Sequence, residues 1–122
     1  MMLWFAMAVI IQAPIALAQA GARLVQCEIT SMPDEKRVFK GRCVFQPEGA
    51  GSFALSSVSG NEPLWGNIAV VNVMIVQKDV AEVSALVLDK PGGGHTSRSG
   101  EARRSAQDKS CWVGVDFKVC AR

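Results

Sequence analysis

Cys111-Trp112-Val113-Gly114-Val115-Asp116-Phe117-Lys118-Val119-Cys120 brings the chain towards its end with two cysteines around a short run of valines and aromatics. Gly114 and Asp116 near its centre are turn formers. β-Branched and aromatic residues on either side of such a turn read as the two strands of a hairpin. The cysteines sit where a disulfide would staple that hairpin shut. A β fold held by disulfides is the expectation that follows, and the rest of the sequence is read outward from it.

The chain has four cysteines, Cys27, Cys43, Cys111 and Cys120. Four cysteines allow three connectivities, and sequence does not choose among them. The sequential pairing, Cys27 with Cys43 and Cys111 with Cys120, is favoured because each pair flanks a stretch that can turn back on itself. Each such loop would stabilise the fold by roughly 2–3 kcal/mol in the chain-entropy model. The alternative, a four-thiolate metal site, usually draws on two closely spaced pairs, and these spacings are longer. No metal or cofactor is therefore expected.

Disulfides need an oxidising compartment, and the first twenty residues supply a route to one. Leu3 to Ala18 is apolar apart from Gln12 and Pro14, and it ends in the small residues of Ala16-Leu17-Ala18-Gln19-Ala20. That is the form of a secretory signal peptide, with cleavage after Ala18 or Ala20. No Lys or Arg precedes the apolar run. The run is short for a membrane span, which needs about 20 apolar residues. Leu24-Val25-Gln26-Cys27 also resembles a lipobox faintly, although Gln26 is large for the position before the cysteine. The expected organisation is a leader at 1–20 and a single domain at 21–122, periplasmic or secreted, with no stable membrane span once the leader is removed. The net charge of +2 is too small to imply nucleic acid as a partner.

Along the domain, Leu24 to Thr30 alternates as a first strand. Ser31-Met32-Pro33-Asp34-Glu35 is a turn, and Lys36 to Lys40 returns, with Gly41 bending the chain before Cys43. Residues 47–51 form a second turn. Phe53 and Leu55 share one face of a strand over 52–57. Ile68 to Val76 is the most apolar stretch, with Asn72 its only polar residue, and reads as a central strand buried on both faces. Asn72 within it is expected to bond neighbouring backbone. Val80 to Leu88 fits a strand, with Ala81, Val83, Ala85 and Val87 on one face. It also fits a short helix over about 80–89, capped by Asp79 with Glu82 at the capping-box position. Residues 89–110 lose all apolar periodicity and read as a flexible basic loop. The fold class is thus all-β, a mainly antiparallel small sheet or sandwich with two disulfides; the alternative is α+β with that one helix.

Three further stretches carry a resemblance. Gly41-Arg42-Cys43-Val44-Phe45 is followed by Gly51-Ser52-Phe53-Ala54-Leu55-Ser56; Val71-Asn72-Val73 is followed by Ala81-Glu82; and Cys111-Trp112-Val113 is followed by Val119-Cys120-Ala121. Together they are similar to a family of small exported, cysteine-containing proteins of proteobacteria, of the rhizobial type. The resemblance implies an exported, mostly β domain and tilts 80–88 toward strand. It implies no activity. The family's Ser-His-x-His turn and Leu-Gly-x-Leu stretch are absent, leaving His95 and then Ser99-Gly100-Glu101-Ala102-Arg103.

Candidate chemistry is sparse. His95 is the only histidine, and Thr96, Ser97 and Ser99 beside it offer no positioned partner for general-base work. The glycines at 92–94 lack the spacing of a phosphate-binding loop. No nucleophile, base and orienting group can be assembled, so an enzyme is the weakest reading. Between Lys90 and Lys109 five basic residues stand against two acidic ones. Arg98, Arg103, Arg104 and Lys109 are accordingly the candidate surface for an anionic envelope component or a protein partner. The expected function is a non-enzymatic binding or inhibitor-like module. The alternative is an envelope structural or stress-related protein without a defined ligand.

Overall fold

The structure is a computed structural model that describes residues 21–90, 93–96 and 100–122, and for residues 89, 90 and 93–96 the backbone path alone. The leader expected at 1–20 lies outside the described residues. All regular structure among the described residues is β, in nine strands: β1 (Arg23–Ser31), β2 (Lys36–Gly49), β3 (Ser52–Ser56), β4 (Ile68–Gln77), β5 (Val80–Lys90), β6 (Gly93–Thr96), β7 (Gly100–Arg104), β8 (Cys111–Val113) and β9 (Phe117–Ala121).

Every pairing is antiparallel, and all but two, β1 with β9 and β5 with β7, join neighbours in sequence. β9 returns to pair with β1, Ile29 opposite Val119 and Cys27 opposite Ala121. β4 pairs with β5 over Ile68–Gln77 and Val80–Val87, so only one edge of β5 remains. β7 takes the first half of that edge, at Val80–Val83, and β6 takes the second half, from Leu86. The nine strands therefore make eight staves of a closed, up-and-down barrel.

Side chains alternate between lumen and surface, as a pleated strand requires. Val25, Cys27 and Ile29 of β1 point inward, as do Phe53 and Leu55 of β3, Val71 and Val73 of β4, and Ala81 and Val83 of β5. One half of the lumen is packed solid. Phe45 and Phe53 stack there with ring centroids 4.6 Å apart. Trp112, 2% exposed, fills the space left by the small side chains of Ala81 and Ala102.

The two disulfides join Cys27 to Cys43 and Cys111 to Cys120, the sequential pairing. They differ in place. Cys27 lies opposite Gly41, and Cys43 lies opposite Val25, so the first bridge crosses β1 and β2 diagonally, inside the lumen. Cys111 and Cys120 face each other directly across β8 and β9. Their neighbours Trp112 and Val119 fill the lumen, so this second bridge lies on the outer wall.

The all-β, mainly antiparallel fold with two disulfides is as expected, and its sheet closes into one barrel. Residues 80–88 form the expected strand, and Asp79, at φ 59°, completes the tight turn from β4. Other expectations are corrected. β4 buries only one face: Val71 and Val73 are inside, whereas Met74 and Val76 on the other face are exposed. Asn72 is half-buried on that outer face, between Ala54 and Ser84. β2 runs through Gly41 without a break. The basic loop at 89–110 holds the end of β5, all of β6 and all of β7. β7 has one buried apolar residue, Ala102, and is a strand because its backbone completes the edge of β5.

Leu55 is wholly buried at the centre of the packed half. Leu55→Ala should lower the unfolding free energy by about 2–5 kcal/mol in urea titration. Val115→Ala, on a side chain 91% exposed, should change it by less than about 0.5 kcal/mol.

Candidate functional site

The other half of the lumen is not filled. A cavity of about 610 Å³ opens at the end of the barrel where β1 finishes and β4 and β9 begin. Its floor is a ring of branched side chains from four strands: Ile29, Val71, Val83 and Val119. Above the floor, the positions that would close the lumen carry small residues: Ser31, Ala85 and Gly100. The cavity exists because large side chains occupy one half of the barrel and small ones the other.

Two aromatic residues form opposing parts of its wall. Trp65 is held in a tight turn leading into β4, where its carbonyl accepts from Ile68 N at 2.9 Å and Gly66 takes the left-handed conformation, φ 52°. Its ring is backed by Phe39, with centroids 6.1 Å apart and planes 22° from parallel. Phe117 starts β9, and its carbonyl accepts from Gly114 N at 2.8 Å. The Phe117 ring lies over two glycines. A Cβ on Gly100 would come within 3.0 Å of it, and one on Gly114 would overlap it. Val38 and Val115, exposed apolar residues, form part of the rim.

The described lining includes the polar residues Thr30, Ser31, Ser84 and Asp116 and the indole of Trp65; of the three hydroxyl residues, Ser31 is the one whose strand position faces the lumen. Asp116 is already engaged by a partner. Such a lining can exclude water, take up apolar surface and offer hydrogen bonds to a neutral group. Among the described residues no three His, Cys, Asp or Glu side chains gather as metal ligands would.

The basic residues singled out from sequence lie elsewhere. Arg98, like the His95 side chain, is outside the described residues. Arg103 and Arg104 are successive strand residues and point to opposite sides. Arg103 is exposed and pairs with Glu101 at 3.3 Å. Arg104 lies 4.6 Å over the Trp112 ring, pairs with Asp79 at 3.2 Å and donates to the Lys109 carbonyl at 3.4 Å. Its charge holds the packed end of the barrel together. Lys109 is exposed, beside that same end. The structure thus brings Arg104 and Lys109 together, turns Arg103 away from Arg104, and keeps all three apart from the cavity.

The outer disulfide is covered by a polar clasp. Arg122 pairs with Glu28 at 3.5 Å and with Asp108, and lies 3.6 Å from the Cys111 sulfur. Ser110 donates to Asp108 through its hydroxyl and through its backbone N–H at 3.0 Å. The Ser110 hydroxyl, and then Arg122, hold the Asp108 carboxyl down to about 2.

A place for Trp65, Ile68, Val115 and Phe117 in a cavity is not among the expectations from sequence. Two local features of the sequence fall at the cavity, a tryptophan beside a Gly-Asn turn and a valine between Gly114 and Asp116, but neither by itself signals an unfilled lumen. The fold and site define a closed eight-staved β-barrel with one apolar mouth. No protein-family model matches the chain, and no curated protein or solved structure matches it either.

The clasp makes a pH prediction. The folded-state value of Asp108 lies below its ordinary 3.8. Its contribution to stability is therefore complete above pH 3.8 and is lost as the pH falls through about 2. Asp108→Asn should be less stable than the native chain at about pH 5, and the gap should shrink progressively below pH 3.8. Urea titrations across this range measure it; a gap that stays constant down to pH 2 would show that the carboxylate charge does not hold the clasp.

Proposed function

We propose that this protein is an exported, non-enzymatic binding module whose binding site is the apolar mouth of the barrel. The observation that carries this reading is the unfilled half of the lumen. Folding favours filled interiors, because apolar walls without neighbours forfeit dispersion contacts. A cavity of about 610 Å³ with apolar walls is of the size that takes small ligands. Mouths of small β-barrels are a recurrent place for such sites.

Export fits the cysteines. Both disulfides join strands of the barrel, one within its core, and structural bridges of this kind persist in oxidising compartments. Among the described residues no helix is long and apolar enough to cross a membrane. The leader form of residues 1–20 supports a periplasmic or secreted location.

Two-dimensional NMR with a cocktail of small hydrophobic molecules tests the site. Resonances of Ile29, Trp65, Ile68 and Phe117 should shift, and those of Arg103 and Lys109 should not. Shifts centred on Arg103 and Lys109 would move the binding surface to the basic strand. Shifts nowhere would contradict the binding-module reading.

A further inference from the structure

We infer that the cavity selects an uncharged, compact apolar ligand, and that Phe117, seated on Gly100 and Gly114, sets the size it accepts. The inference rests on the mouth being the binding site and goes beyond it by naming the ligand class and the residue that limits it.

The charge selectivity follows from the lining. No cationic side chain is found among the described lining residues, and the one carboxylate, Asp116, is already engaged. An anionic group carried into the cavity would lose its hydration and gain no counter-charge from the described lining. That desolvation is costly in surroundings this apolar. The few polar groups of the described lining, the Ser31 hydroxyl and the Trp65 indole among them, can satisfy one or two neutral hydrogen-bonding groups. The ligand is therefore a neutral molecule dominated by hydrocarbon.

The size limit follows from depth and from Phe117. The floor at Ile29 and the rim at Ser31 are two strand residues apart, a depth of roughly 7 Å. That depth suits a fused or single ring lying between Trp65 and Phe117. Trp65 is fixed by its stack on Phe39. The ring of Phe117 has space only because positions 100 and 114 carry no side chain. Neither glycine adopts the left-handed conformation that would exclude alanine on backbone grounds. A methyl group at 114 would therefore act through the ring, by driving it toward the cavity.

The test uses the exported chain with its disulfides intact and a matched pair of fluorescent probes. N-phenyl-1-naphthylamine is neutral, and 8-anilino-1-naphthalenesulfonate is nearly the same hydrocarbon with a sulfonate added. The neutral probe should bind at least about tenfold more tightly. Gly114→Ala should weaken the neutral probe by about tenfold. The double variant Gly114→Ala with Phe117→Ala should bind it within about threefold of Phe117→Ala alone, because the ring that the methyl displaces is gone. Circular dichroism of each variant confirms the barrel, and Trp65→Ala provides an independent loss from the facing wall should Gly114→Ala fail to fold. Equal binding of the two probes would overturn the neutral-ligand class while leaving the mouth as the site. A double variant that binds the neutral probe more than about threefold less tightly than Phe117→Ala alone would overturn the role of Phe117. Binding of neither probe would overturn both this inference and the reading of the mouth on which it rests.

Discussion

Closure of the sheet through β1 is the constraint on which the rest of the structure depends. β1 pairs with β2 along one edge and with β9 along the other, so the chain's first and last described strands lie side by side. A closed sheet has no free edge to protect. It also creates a lumen that must be filled, because the inward face of every strand converges on it. With eight staves the interior is just wide enough for side chains to fill or for one small ligand to occupy. Here side chains fill one half and leave a cavity of about 610 Å³ in the other.

The two ends are built from different chemistry. The packed end is tied by charge: Arg104 to Asp79 and over Trp112, Arg23 over the Phe45 ring at 4.3 Å, and Arg122 to Glu28 and Asp108. These exposed pairs add little stability singly, yet they fix the strand ends around a solid core. The open end has Val38 and Val115 at its rim and the ring of Trp65 in its wall. The disulfides are divided in the same way between inside and outside. One bridges β1 to β2 through the core, and the other staples β8 to β9 on the wall, under the Arg122 clasp.

Much of this was legible in the sequence. The hairpin closed by Cys111 and Cys120 was legible from local turn chemistry, the sequential cysteine pairing was the favoured one of three, and the all-β class was favoured over a single helix at 80–89. The strand faces of Phe53–Leu55 and of Ala81–Val83 follow from a period of two. Closure was not legible, because it depends on pairing between residues such as Ile29 and Val119, ninety positions apart, and alternation says nothing about which strand lies alongside. β7 was not legible either. Gly100-Glu101-Ala102-Arg103-Arg104 has no apolar pattern, since its inward position needs only Ala102 beside the large Trp112. The burial of β4 was overread for the converse reason: its outward Met74 and Val76 are apolar yet exposed. The cavity was invisible because a missing side chain leaves no mark in a sequence. Gly100, Ala85 and Ser31 look like ordinary loop or strand residues until three separate strands bring them to one layer.

The most direct measurement is a set of intermolecular nuclear Overhauser effects between bound N-phenyl-1-naphthylamine and the methyl groups of the protein. Contacts to Ile29, Val71, Val83 and Val119 would place the ligand on the floor of the lumen, the expected result. Contacts confined to Leu24, Met74 and Val76 on the outer wall would contradict the assignment of the mouth as the site.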